Sequence, residues 1–119
     1  MAPYTIELPY PPSVNGYWRN IGSGRTIVSK AGRDYTTAVM MSVLTAGRPK
    51  TFQGRLSMKI LVHPPDRKRR DLDNVAKGVQ DSLCKASVYA DDSQIDRLLI
   101  ERAAVTKPGK VVVTVWEMN

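Results

Sequence analysis

The chain has 119 residues, which fits one domain, and 42% of them are hydrophobic, enough for one compact core. Eighteen Lys and Arg against eleven Asp and Glu leave a net charge of +7, a balance that favours an anionic partner, nucleic acid first. The single cysteine, Cys84, excludes an intramolecular disulfide and fits a reducing compartment. No stretch approaches the ~20 apolar residues of a membrane span. The opening MAPYTIELPYPPS lacks the basic and apolar regions of a secretory leader, so a cytoplasmic location with no membrane partner is expected.

In chain order, YTIEL at 4–8 alternates like a short strand. PYPPSVNGYWRNIGSG at 9–24 is rich in Pro and Gly and reads as a long loop, a common place for function. RTIVS at 25–29 reads as a short strand. Residues 32–46 carry Tyr35, Ala38, Val39, Ser42, Val43 and Ala46 at helical spacing, while Met40 and Leu44 form a second apolar strip on nearly the opposite side. That strip suits a second subunit or another part of the sheet; Met41 belongs to it less clearly.

RLSMKILVH at 55–63 is a strand stopped by Pro64 and Pro65. A helix is predicted from about 72 to 85, because Leu72, Val75, Ala76, Val79, Leu83 and Ala86 align on one face. RLLIERAAV at 97–105 and KVVVTVWEM at 110–118 read as strands, with TKPG between them as a hairpin turn. The order β, β, α, β, α, β, β predicts a small single α+β domain over 1–119, a mixed sheet with two main helices packed on it.

The densest positive charge, Arg67, Lys68, Arg69 and Arg70, runs straight into Asp71 and Asp73. Within one helix, these two aspartates would point roughly 160° apart. If the helix begins after Asp71, that residue becomes the N-cap and its carboxylate can turn toward Asp73. Lys77 lies one turn beyond Asp73 on the same face. DLDN by itself reads equally well as a helix cap, since the helix dipole favours acids there. An EF-hand is excluded, because Ala76 and Ser82 stand where Gly and Glu are needed.

A second acidic cluster, Asp91, Asp92 and then Asp96, changes the balance. Two acidic clusters in so basic a chain fit a hard-cation site, and Mg²⁺ takes carboxylate oxygens while keeping some of its waters. The adjoining Arg67, Lys68, Arg69 and Arg70 suit a phosphate backbone, and metal plus phosphate-binding cations describes phosphodiester hydrolysis. His63 is the only histidine and has no marked nucleophile beside it, which argues against a Ser-His-Asp or Cys-His mechanism.

LPYPPSVNGYWR, RRDLDNVAKGVQDSL and the later DD-Q together resemble the RusA-type Holliday junction resolvases over nearly the whole chain. The resemblance implies a RusA-like fold and a homodimeric, Mg²⁺-dependent endodeoxyribonuclease acting on four-way DNA junctions, with no organic cofactor. It implies Asp71, Asp73 and Asp92 as catalytic metal-binding carboxylates, Lys77 as the catalytic-site lysine and Arg70 as a DNA contact. Asp91 is the less certain member of its pair. Ser87 stands where that family commonly has a Gly after the helix, which leaves the path of residues 86–92 open.

Asp92 lies beyond the far end of a helix whose start carries Asp71 and Asp73. It must double back along the helix or come from a second subunit, and the same-chain route is the expected one. Two other readings fit the charge: a nucleic-acid-binding module without catalysis, and a metal-dependent phosphohydrolase of small substrates.

Overall fold

Leu56–His63 is the strand around which the chain is organised, and it is paired on both sides. The structure, a computed structural model, describes residues 2–118. In chain order its elements are β1 (Tyr4–Pro9), α1 (Val14–Tyr17), β2 (Trp18–Gly22), β3 (Arg25–Val28), α2 (Lys30–Ala46), β4 (Leu56–His63), α3 (Asp73–Lys85), β5 (Ile95–Arg102) and β6 (Lys110–Glu117). A 3-10 turn at Asp92–Gln94 precedes β5. The main sheet runs β1-β6-β4-β5, and β2 and β3 form a separate two-stranded ribbon. The α+β expectation of a mixed sheet with two main helices holds.

Alternation decides which face of the sheet is covered. Ile6 and Leu8, Val111, Val113 and Val115, and Met58, Ile60 and Val62 are all buried. They meet Val39 and Val43 of α2 and Val75, Val79 and Leu83 of α3 in one hydrophobic core. The intervening residues on the other face include several polar pairs. Thr5 and Thr114 Oγ1 lie 3.1 Å apart, and ion pairs join Lys110 to Glu7 at 2.9 Å and Lys59 to Glu101 at 3.3 Å.

Pairing corrects two sequence expectations. TKPG does not close a hairpin. β5 lies parallel to β4 at the sheet edge, whereas β6 is antiparallel to β4 on its other side. Two apolar strands separated by a turn look like a hairpin locally, but each pairs with an opposite edge of central β4. The stretch 9–24 is also less irregular than predicted. Ser13 caps the one-turn α1 by accepting from Gly16 N–H, and β2 follows at once.

Parallel pairing of β4 and β5 requires a crossover, and α3 supplies it. The apolar face read from the sequence is the buried one: Val75, Ala76, Val79, Leu83 and Ala86 are buried. The helix ends in a Schellman motif, with Val88 N–H donating to Leu83 O (3.1 Å) and Ser87 N–H to Cys84 O (3.0 Å). Ser87 sits at φ 64°, the left-handed conformation that a Gly would adopt more cheaply. The missing Gly therefore does not alter the path of the chain. Phe52 N–H and Thr51 Oγ1 then hold the carbonyls of Val88 and Ser87, turning residues 88–92 back toward the helix.

Candidate active site on helix α3

The basic run ends in a shaped loop. Asp66 accepts from Lys68 N–H at 2.9 Å and pairs with the Arg70 guanidinium, which also lies 5.9 Å over the Tyr10 ring. The Arg70 hydrogen bond and the Lys68 amide hold the Asp66 carboxyl down at about 2. Arg102 donates to Arg70 O at 2.8 Å. Arg70 is thus a half-buried clamp, while Arg67, Lys68 and Arg69 stay exposed.

Asp71 is not the N-cap that the sequence suggested. Leu72 precedes the first helical residue with helical angles (φ −64°, ψ −37°), and no side chain caps the helix. Asp71 O, not its carboxylate, accepts from Asn74 N–H at 3.3 Å. Its exposed carboxylate is left for other work, lining an open cleft of about 410 Å³ with Ser13, Arg69, Arg70 and Asn74. Tyr10 and Pro11 close the same cleft, so the PYPPS and RRDLDN segments meet there.

Asp73, Lys77 and Asp81 follow at four-residue intervals along α3 and so share one stripe of the helix. Asp73 and Lys77 are exposed. Lys77 Nζ lies 5.0 Å from the centroid of the Trp18 ring, a cation–π contact that steadies a long side chain. Asp81 was not singled out from the sequence, although its i+4 spacing from Lys77 was legible. It accepts from the buried Tyr17 hydroxyl and pairs with Lys85 Nζ at 3.0 Å. Tyr17 OH also lies 2.9 Å from Thr36 Oγ1 and 3.2 Å from Ser82 Oγ. Burial first, then Asp81, keeps this phenol protonated above its ordinary range. The hydroxyl group ties α1, α2 and α3 together beside the acidic stripe.

Asp92 comes within electrostatic reach of Asp81 and Lys77 of the same chain. Partial burial raises its carboxyl above the ordinary range; Asp81 adds to the rise, and the Tyr89 hydroxyl and Lys77 oppose it. The return segment runs close beside the helix, with Cys84 Sγ 3.5 Å from Ala90 O. Asp91 has a different task. It caps the 3-10 turn, accepting from Ser93 N–H at 3.3 Å and from the Ser93 hydroxyl. Gln94 closes the turn from inside: its Oε1 accepts from Ala90 and Asp91 N–H, both at 2.8 Å. Its Nε2 donates to Phe52 O (3.0 Å) and Gly54 O (2.9 Å). The DD-Q pattern is thus one aspartate aimed at the helix and two residues that aim it.

Asp96 lies outside the site, paired with Arg55, its Oδ2 2.9 Å from Arg55 Nε. His63 Nδ1 sits 2.9 Å from Ala104 O, a contact that pins the 103–109 connection.

Among the described residues, no three of His, Cys, Asp and Glu stand close enough together to hold a metal ion. Helical rise explains why, since eight residues from Asp73 to Asp81 span about 12 Å. The donor set still fits a small hard cation. Mg²⁺ is held by one or two carboxylates with waters and substrate phosphates completing its shell. Asp92 carries a charge that its surroundings penalise and a cation would relieve.

Carboxylates spaced on one helix face about Lys77, next to a cleft lined by Arg69, Arg70 and Asp71, are a set of groups compatible with phosphodiester cleavage assisted by a divalent cation. The description Endodeoxyribonuclease RusA matches residues 9–116. Over all 119 residues, and 98% of each relative's length, the chain is 39% identical to crossover junction endodeoxyribonuclease RusA of Escherichia coli K12. It is 37% and 36% identical to the proteins of that name from enterobacteria phages 82 and HK97, with the same coverage. The chain belongs to the RusA endodeoxyribonuclease family.

Proposed function

We propose that this protein is a homodimeric, Mg²⁺-dependent endodeoxyribonuclease that resolves four-way DNA junctions by paired cleavage of opposed strands. The observation that carries this reading is the acidic stripe of α3, with Asp92 folded back onto it and the arginine-edged cleft at its head.

Asp71, Asp73 and Asp92 are the carboxylates we assign to the ion; since no three acids meet among the described residues, one or two of them would hold it, with waters and substrate phosphates completing its shell. When bound, it supplies Lewis-acid charge to a phosphate oxygen and lowers the pKa of a coordinated water. Lys77, free of any ion pair among the described residues and steadied by Trp18, stabilises negative charge developing on the phosphate or the leaving oxygen. Arg67, Lys68 and Arg69 grip flanking phosphates. Arg70, fixed by Asp66 and Tyr10, holds the loop in shape and presents its remaining donors to the cleft. Asp81, anchored by Tyr17 and Lys85, is a positioning residue that repels Asp92 and keeps that carboxylate receptive to a cation.

A C2 dimer presents one site to each of two opposed strands, matching the near two-fold symmetry of the junction. The second apolar strip of α2, with Met40 43% and Leu44 62% exposed, is the interface we favour.

The test is cleavage of a synthetic four-way junction with and without Mg²⁺, in an excess of linear duplex. Asp71→Asn, Asp73→Asn and Asp92→Asn should each abolish cleavage and keep junction binding. Wild-type cutting without divalent metal, or by any one of these variants at the wild-type rate, removes the metal role or that residue. Mixing Asp71→Asn with Asp92→Asn subunits should restore nothing, because each site draws both residues from one chain. A nicked product would show a shared site.

A further inference from the structure

The β2–β3 ribbon is the part of the molecule that the proposed site leaves unexplained. It belongs to no larger sheet, and a two-stranded ribbon alone is marginal in water. Its base is well anchored. Trp18 stacks over Lys77, the Trp18 and Tyr17 rings lie 4.1 Å apart, and Ser29 N–H donates to Tyr17 O at 2.8 Å. Beyond that base every residue from Arg19 to Ile27 is exposed.

Strand pairing sorts the side chains. Trp18 and Val28 are opposite one another and turn toward the body, as the contacts of Trp18 with Lys77 and of Val28 with the core show. The next pair, Arg19 and Ile27, therefore faces outward, and Arg25 shares the side of Ile27 two residues away. Ile21 sits at the irregularity between Asn20 and Gly22, near the tip. Ile21 is 44% and Ile27 42% exposed.

Among the described residues neither Arg19 nor Arg25 makes an ion pair with any of the six acidic partners engaged elsewhere. No acidic residue occurs between Glu7 and Asp34, a stretch that holds Arg19, Arg25, Lys30 and Arg33. A protein-facing surface usually mixes signs, whereas the charges of this one are all positive.

We infer that the outer face of this ribbon is a second DNA-contacting surface, Arg19 and Arg25 on phosphates and Ile21 and Ile27 against unstacked bases at the branch point. The inference rests on the reading of the protein as a junction nuclease. Phosphate contacts from the ribbon set register beside the cleavage site. Apolar side chains inserted at a base step exploit stacking that a four-way junction has already broken and a linear duplex has not.

The experiment uses the full chain, with a labelled four-way junction and a linear duplex of the same arm sequence, and reads binding in EDTA across a salt titration. Arg19→Ala with Arg25→Ala should weaken both DNAs and reduce the slope of log affinity against log salt by about 2. Ile21→Ser with Ile27→Ser should lower junction affinity roughly tenfold and leave duplex binding unchanged. Both variants should melt like the wild type. Variants that bind both DNAs as the wild type does overturn the inference. So does a loss of binding that coincides with dissociation to monomer in sedimentation, which would make the ribbon a subunit contact. If the wild type cleaves junctions while the ribbon variants match it in affinity for both DNAs, only this inference falls. If the wild type itself neither binds nor cleaves them, the nuclease reading falls and takes this one with it.

Discussion

Gly32→Ala tests whether α2 and the start of the ribbon form one rigid wall behind the acidic stripe. A Cβ at Gly32 would lie 2.4 Å from Tyr17 O and 2.7 Å from Val28 Cγ1. Real Cβ atoms essentially never come within 3.0 Å, so Tyr17 O must retreat. That carbonyl is backbone and already accepts from Ser29 N–H at 2.8 Å, so it has little freedom. Overpacking of this kind costs about 1–3 kcal/mol. Replacing Gly by Ala in a helix returns at most about 1 kcal/mol, less near an end, and Gly32 is only the third residue of α2. The net expectation is a destabilisation of about 1–2 kcal/mol, or roughly 4–10 °C in Tm for a domain of this size.

Gly78→Ala is the control. Its Cβ would meet only the edge of the Tyr17 ring, at 3.1 Å from Cδ2, and Gly78 lies inside α3. A ring yields more easily than a carbonyl, and the interior position returns the full helix term, so a Tm within about 3 °C of wild type is expected. Thermal melts by circular dichroism, repeated in urea, decide it. A Gly32→Ala protein that melts at or above both the wild type and Gly78→Ala would refute the rigid-wall argument.

Other outcomes follow from single contacts. Ser87→Gly should stabilise by about 0.5–1 kcal/mol, since it relieves a side chain at φ 64°; an unchanged urea midpoint would show that the site is unstrained. Asp92 has a raised folded-state pKa, so its stabilising protonated form is present at low pH and lost as pH rises through that value. Asp92→Asn should therefore raise the metal-free Tm at pH 7, an advantage that disappears below the ordinary aspartate value of 3.8 and is absent at every pH if the carboxylate is fully solvated. Replacing Arg67, Lys68 and Arg69 together by Ala should reduce the salt dependence of DNA binding by up to about 3 without lowering Tm, because all three are exposed. Met40→Asp combined with Leu44→Lys should give monomer by sedimentation. A dimer that survives moves the interface elsewhere, with Leu98 and Leu99 of the edge strand, 40% and 50% exposed, the next surface to vary.

Much of this architecture was legible along the chain because its signals are local. The period of 3.6 placed Val75, Ala76, Val79 and Leu83 on the buried face of α3, and alternation marked β1, β4 and β6. The charged run, the paired aspartates and Lys77 could be read directly, since their chemistry depends on residue type and short spacing. Pairing decided what composition could not. A turn between two strands looks like a hairpin whether or not they become neighbours, and only β4, taking β5 on one edge and β6 on the other, separates them. Asp71 looked like a side-chain cap because Asp caps helices well, yet only its carbonyl accepts a helix amide, from Asn74. Only the tertiary structure showed that the Schellman turn, Gln94 and Phe52 fold residues 86–92 back along α3, so that Asp92 feels the charges of Asp81 and Lys77. Such a return depends on backbone carbonyls and amides far apart in sequence, whose hydrogen bonds leave no mark on the pattern of side chains.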